Sequence, residues 1–290
     1  MKLSVEIAEI RSKVGDEKAI ELIKAAGFDC VDYSFYGLGE GALALGENYR
    51  DYALKLRKIL DKNGLECNQA HAPFNLTKDK KQDISERHYL EIVRSIEAAA
   101  ILGAKNIVVH PIYVPVGETV NGVSYEEFNR CYYKSLELYC EKFKINIAVE
   151  NMFYIDSKRN CLCGMLDTPQ ALTDMVKSIN SPYFVACADV GHLAVTGTEP
   201  EDFIRKMDVS VLKTLHIQDT DYKADRHQLP FVGEINWKNV MSALKGIGYS
   251  GDLTFEITGF LNNLPSELLP AALKYCAEVG KHLMSLYKCD

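Results

Sequence analysis

Eight short apolar runs, each separated from the next by a longer stretch of helical period, leave few folds open to this chain. The runs are Leu3–Ile7, Cys30–Ser34, Glu66–Ala70, Asn106–His110, Ile145–Glu150, Phe184–Asp189, Thr214–Gln218 and Leu253–Ile257. Several carry Val and Ile on both faces, as strands covered on both sides do. Helical patterns start near Asp16 and cover Tyr49–Asn63, Ser85–Leu102, Ser124–Phe143, Pro169–Ile179, Glu199–Met207, Trp237–Ile247 and Ser266–Leu286. Thr168-Pro169 reads as a helix start, with a capping hydroxyl before a proline at the first helical position. Asn236-Trp237 reads as another.

Strictly alternating strands and helices predict an α/β chain folded as a single (β/α)8 TIM barrel. The 290 residues would also suffice for two average domains. No compositional break or Pro/Ser linker divides them, so one domain over 1–290 is expected. A hydrophobic share of 47% and a charged share of 25% are ordinary for a globular chain. A net charge of −7 disfavours non-specific nucleic-acid binding, which needs excess Lys and Arg.

Glu6 and Glu9 interrupt the N-terminal apolar residues, so no signal-peptide core is expected there. No stretch approaches the roughly 20 uncharged apolar residues of a membrane span. A cytoplasmic location follows as the expectation. The nine cysteines are scattered. Cys30, Cys131, Cys140, Cys187 and Cys276 are expected to be reduced and mostly buried. Cys161-Leu162-Cys163 lacks the two-residue gap of zinc ribbons and reads as an ordinary loop.

Function is concentrated where the strands stop. In a barrel of this kind the site lies at the C-terminal strand ends. The third strand runs into His71, the fourth into His110 and the fifth into Glu150. The sixth ends at Asp189, with His192 soon after; the seventh carries His216 and the eighth Glu256. One such residue alone would be an ordinary core histidine or a capping carboxylate. Six consecutive strands ending this way would aim carboxylates at one mouth, where they repel unless a cation joins them. Imidazole and carboxylate without thiolate suits Zn, Mn, Co or Fe better than Ca or Mg.

The segments HAPFNL (71–76), VVHP (108–111), AVEN (148–151), ADVGH (188–192), LHIQD (215–219), DRHQLPFVGEINW (225–237) and FEI (255–257) resemble the xylose isomerase-like barrel superfamily. That superfamily includes sugar epimerases and isomerases, inosose and dehydroshikimate dehydratases, and endonuclease IV-type DNA endonucleases. The resemblance implies a divalent metal (Zn, Mn or Co) held by Glu150, Asp189, His216 and Glu256, with the two glutamates as the acid/base pair. It also implies the further ligands of a three-metal set, at His71, His110, His192, Asp225 and His227. One to three ions are therefore expected.

Other positions depart from the endonuclease pattern. Phe74 stands where a tyrosine is usual, ENMFYI replaces ENTAG, and the stretch after the second strand carries a single basic residue, Arg50. Against the epimerases, Arg226 comes ten residues after His216 and is out of register.

The leading expectation is a metal-dependent isomerase or epimerase of a small sugar or keto-polyol, acting through an enediolate. The alternatives are a dehydratase of the inosose or dehydroshikimate type and a three-zinc phosphodiesterase. His192, Arg226 and Trp237 are the expected substrate contacts. For Tyr154, Phe231 and Trp237 plain packing is favoured over walling the pocket. A small sugar-like substrate and no membrane are expected, with homo-oligomerisation compatible and nucleic acid disfavoured as a partner. His88, His282 and the run 78–83 (KDKKQD) read as solvated surface.

Overall fold

The structure is a computed structural model that describes residues 1–38, 42–74, 86–113, 119, 122–155, 161–162 and 164–288. Residues 78–83 and Cys163 lie outside the described residues. Cys161 is described only as backbone.

Eight parallel strands form one sheet that nearly closes into a barrel. They are β1 (Leu3–Glu6), β2 (Cys30–Ser34), β3 (Glu66–His71), β4 (Asn106–Val109), β5 (Asn146–Glu150), β8 (Phe184–Asp189), β9 (Leu212–His216) and β10 (Leu253–Phe255). The two remaining strands, β6 (Tyr154–Ile155) and β7 (Cys161–Leu162), form a small antiparallel hairpin beyond the end of β5. The sheet order is β10-β1-β2-β3-β4-β5-β8-β9. Closure between its two ends is thin. Ile217 bridges Phe255, the Ile217 N–H donates to the Thr254 carbonyl, and the Glu256 N–H donates to the Ile217 carbonyl.

Eight helices lie where the periodicity predicts them. They are α2 (Asp16–Ala26), α3 (Tyr49–Asn63), α4 (Glu86–Leu102), α5 (Tyr125–Phe143), α6 (Pro169–Ser178), α8 (Pro200–Lys206), α9 (Trp237–Gly246) and α11 (Leu269–Lys288). Both expected caps form: the side chains of Thr168 and Asn236 accept from the Ala171 and Asn239 N–H groups. Three short helices escaped the sequence reading: α1 (Ala8–Val14), α7 (Val190–Val195) and α10 (Thr258–Asn262). Each opens within three residues of the end of a barrel strand. They are five to seven residues long, and none opens on a proline as the equally short α8 does.

Only the second and sixth barrel strands keep their expected bounds, and two of the shifts bear on the site. The fourth strand stops at Val109, leaving His110 just past the ladder. The seventh runs from Leu212 to His216, not from Thr214 to Gln218.

Side chains alternate across each strand. Outward residues such as Leu3, Val5, Val31 and Ile147 join the large core between sheet and helices. Gly280 of α11 is needed there, because a Cβ at that position would overlap the Leu3 side chain. Inward residues are of two kinds. Val108, Ala148, Val185 and Cys187 form a small apolar cluster of their own on β4, β5 and β8. Ser4, Glu6, Asp32, Ser34, Gln69 and His71 on β1–β3 are buried and polar. Cys30, Cys140, Cys187 and Cys276 are buried free thiols, as expected, but Cys131 is exposed. No helix among the described residues is long and apolar enough to cross a membrane.

Candidate metal centre

Glu150, Asp189, His216 and Glu256 come from the C-terminal ends of β5, β8, β9 and β10, and each offers a ligand atom within 4.8 Å of the others. His216 is at the centre. Its Nδ1 is 2.6 Å from Glu150 Oε1, 3.3 Å from Glu256 Oε2 and 4.0 Å from Asp189 Oδ2. Glu150, Asp189 and His216 are fully buried, whereas the Glu256 side chain is 13% exposed, on the side open to the mouth. Asp189 also caps α7, its Oδ1 accepting from the His192 N–H at 2.6 Å. The turn into that helix therefore fixes both residues at once.

Burial sets the electrostatics of the cluster. It pushes the Glu256 carboxyl well above its ordinary value, with nearby carboxylates adding to the shift and His216 and His227 opposing it. Burial would raise Glu150 as well, but His216, His110 and His71 hold it well below the usual range. Burial would lower His216, yet Glu256, Cys187 and Glu150 raise it well above the ordinary imidazole value. Glu150 Oε2 lies 2.8 Å from His110 Nε2 but accepts no hydrogen bond. A buried carboxylate oxygen without a donor, inside a ring of imidazole and carboxylate atoms, fits a divalent cation of the Zn, Mn or Co type.

Two further groups adjoin the first. His71 and His110 share Glu150, with their Nε2 atoms 3.0 Å apart. Burial lowers His110 to about 4, against the pull of Glu150. Phe74 stacks on the His110 ring at a centroid distance of 4.4 Å and packs edge-on to His71. The position that lacks a hydroxyl is thus a lid of apolar carbon over two imidazoles. On the other side, His192, Asp225 and His227 form a third group. His227 Nε2 is 2.8 Å and His192 Nε2 is 3.8 Å from Asp225 Oδ2. All nine ligand positions of the sequence reading therefore fall into three adjoining clusters.

The third group depends on residues that the sequence did not mark. Gln218 is fully buried between the inner and outer groups. Its amide N–H donates to Asp225 Oδ1 at 2.7 Å and lies 3.4 Å from both Asp189 oxygens, while its Oε1 accepts from the His227 N–H. Gly191 makes room for that amide, since a Cβ there would overlap it. Gly259 likewise lets α10 approach the Arg226 carbonyl.

Asp219 anchors the same loop. Its carboxylate accepts from the N–H groups of Thr220, Ile235 and Phe231 and from the Trp237 indole, at 2.8–3.2 Å. Tyr222, His227 and Phe231 sit in this loop with φ of 61°, 45° and 74°, a region that side chains seldom occupy. Asp219→Ala is expected to cost about 3 kcal/mol in urea unfolding, because several buried donors lose their acceptor together. Unchanged stability would contradict the anchoring role.

Two of the expected substrate contacts, Trp237 and Arg226, lie elsewhere, and Phe231 and Tyr154 pack against other rings, the reading favoured for them. Trp237 is 1% exposed and spends its indole N–H on Asp219, so it is buried support for the loop. Arg226 points to solvent and pairs with Asp221 at 2.8 Å. Phe231 is 52% exposed and leans on His282, so it walls no pocket. Tyr154 packs against Tyr113. His192 does belong to the site, with Phe153 edge-on to its ring. His282 is exposed as expected, but His88 is half-buried, and burial lowers its pKa.

Known proteins share this framework. A Methanocaldococcus jannaschii protein, MJ1311, itself uncharacterized, is 30% identical over 223 residues, which is 75% of this chain and 72% of that protein. A D-tagatose 3-epimerase-like protein of known structure superposes with a TM-score of 0.73 at 24% identity, over 99% of this chain and 98% of its own. The IolI protein, solved with a bound zinc, superposes with a TM-score of 0.71 at 18% identity, over 98% and 99%. The family model for the xylose isomerase-like TIM barrel matches residues 20–279, and this chain belongs to that family.

Proposed function

We propose that the protein is a divalent-metal-dependent isomerase or epimerase of a small sugar or keto-polyol. The observation that carries this reading is the convergence of Glu150, Asp189, His216 and Glu256, largely buried, at the mouth of the barrel. Its kinship with sugar-epimerase structures supports the substrate class.

Glu150, Asp189, His216 and Glu256 would hold the cation. Bound there, it would supply Lewis-acid polarisation of a ketone carbonyl and offset the negative charge that develops on it. The rest falls to the side chains. Glu150 and Glu256 approach the same His216 nitrogen from two sides, so a substrate seated beside the cation would meet two carboxyl groups. One takes the proton alpha to the carbonyl; the other returns a proton on the opposite face or to the neighbouring carbon. His192, buried beside Asp189, is suited to bind a substrate hydroxyl. The Phe74 and Phe153 rings, beside His110 and His192, limit access of water.

A second reading has its own support. His71–His110–Glu150 and His192–Asp225–His227 complete the donor set of a three-zinc phosphodiesterase. Metal analysis combined with two assays separates the readings. About one exchangeable cation per chain, with exchange of a sugar C–H hydrogen into D₂O, is the outcome expected for the isomerase. About three zincs with cleavage of an abasic-site duplex would overturn it. Loss of a β-hydroxyl from the substrate would instead point to the dehydratase alternative.

A further inference from the structure

The far side of His216 faces a second constellation, built from β2 and from a residue of β3 that precedes the His71 motif. Asp32 projects from the middle of β2 and Gln69 from β3, at paired positions of the ladder. Both are buried. Gln69 Nε2 donates to Asp32 Oδ2 at 2.8 Å and stands 2.9 Å from His216 Nε2. Asp32 Oδ2 itself is 3.4 Å from His216 Nε2, and its other oxygen, Oδ1, is buried without a hydrogen-bond partner. Glu6 lies beside Asp32 in register on β1, also buried and with one unpartnered oxygen.

A carboxylate this deep in a barrel is costly unless it accepts hydrogen bonds or offsets a charge. The His216 ring supplies the reason for it. A cation can take Nδ1 only if that nitrogen is free of its proton, and a neutral ring must then carry its proton on Nε2. Among the neighbours of Nε2, Gln69 presents an amide N–H, which can only donate. Asp32 presents a carboxylate, which accepts. In the structure Nδ1 stands 2.6 Å from Glu150 Oε1, and Nε2 has the Gln69 amide nitrogen at 2.9 Å and Asp32 Oδ2 at 3.4 Å. With a cation on Nδ1, Nε2–H needs an acceptor, and the 3.4 Å contact to Asp32 closes into that bond.

We propose that Asp32 is a positioning residue that fixes His216 in its Nε2–H form, presenting Nδ1 to the cation, with Gln69 holding the Asp32 carboxylate in line. This rests on the metal reading above.

The test uses zinc as the probe on the full chain. Zinc affinity is measured by competition with a chromophoric chelator for wild type, Asp32→Leu and Asp32→Asn. Outer-shell partners of ligating histidines are worth about 10–100-fold in affinity, so Asp32→Leu should weaken binding by that factor. Asp32→Asn, which keeps an oxygen acceptor but no charge, should fall between. A wild-type measurement covers the case in which Asp32→Leu fails to fold. Side-chain ¹⁵N spectra of the zinc-loaded protein should place the His216 proton on Nε2. Affinities within threefold of wild type in both variants, or an Nε2 without a proton in the loaded wild type, would overturn the proposal while leaving the metal site standing. Failure of the wild type to bind zinc would remove the metal reading and this one together.

Discussion

Glu150→Gln and Glu256→Gln should each lower turnover by at least ~100-fold on the ketose or keto-polyol that the wild-type protein converts, the range expected when a positioned acid or base is removed. Glutamine keeps the shape and one oxygen of glutamate. The contact between Glu150 and His216 Nδ1 can therefore survive as an amide contact, and the fold should hold. What is lost is the ability to accept a proton. Each variant removes one of the two groups that exchange hydrogen with the substrate. Incorporation of deuterium from D₂O should therefore fall together with turnover, while circular dichroism stays unchanged. Two variants that both retained more than a hundredth of the activity would sink the two-base scheme. Loss in one alone would reduce it to a single base.

His216→Ala should be the most damaging single change to stability. His216 is fully buried and lies within 4.0 Å of four carboxylates: Glu150, Glu256, Asp32 and Asp189. Removing the imidazole leaves a cavity and takes the cationic partner from carboxylates of which three are fully buried. Breaking a buried ion pair from one side costs about 3–5 kcal/mol, and urea unfolding of the metal-free protein should display a loss of that order. A divalent cation should restore part of it, since any ligand that binds only the folded state stabilises it, by about 2.7 kcal/mol at a hundred times its dissociation constant. A loss below about 1 kcal/mol would mean that the cluster relaxes into solvent and is not held as described.

How far these residues could be read from the chain follows from where their neighbours lie. His71, Glu150, Asp189 and His216 each interrupt or end an apolar run, so a polar residue there stands out. The eight runs and the long helices between them are local features, carried by a period of two or 3.6 residues. Asp32 and Glu6 also lie in strands, but nothing local separates a barrel-facing aspartate from one at an exposed edge. Gln69 precedes His71 by two positions and shares its face. That alternation was available, but amide chemistry gave no cue to a role. Asp219 and Gln218 follow His216 directly, and their importance comes from loop residues up to 18 positions away. Trp237 and Arg226 illustrate the converse: an aromatic and a cation near a ligand motif in sequence are turned away from it by the loop that Asp219 ties down.

The sequence alone determined the alternating αβ order, the barrel it implies, and nine ligand-type side chains at strand ends or in the loops that follow. All of that is written in short-range periodicity and residue chemistry. Only the tertiary structure decided how those nine divide into three adjoining groups around Glu150, His216 and Asp225. It alone revealed that the first two strands place Glu6 and Asp32 behind the site, and that Trp237 serves a carboxylate and not a substrate. The physical reason is closure. The curling of the sheet brings β2 across the barrel to β9, setting Asp32 against His216 across 184 residues of chain, and no local pattern encodes a contact of that span.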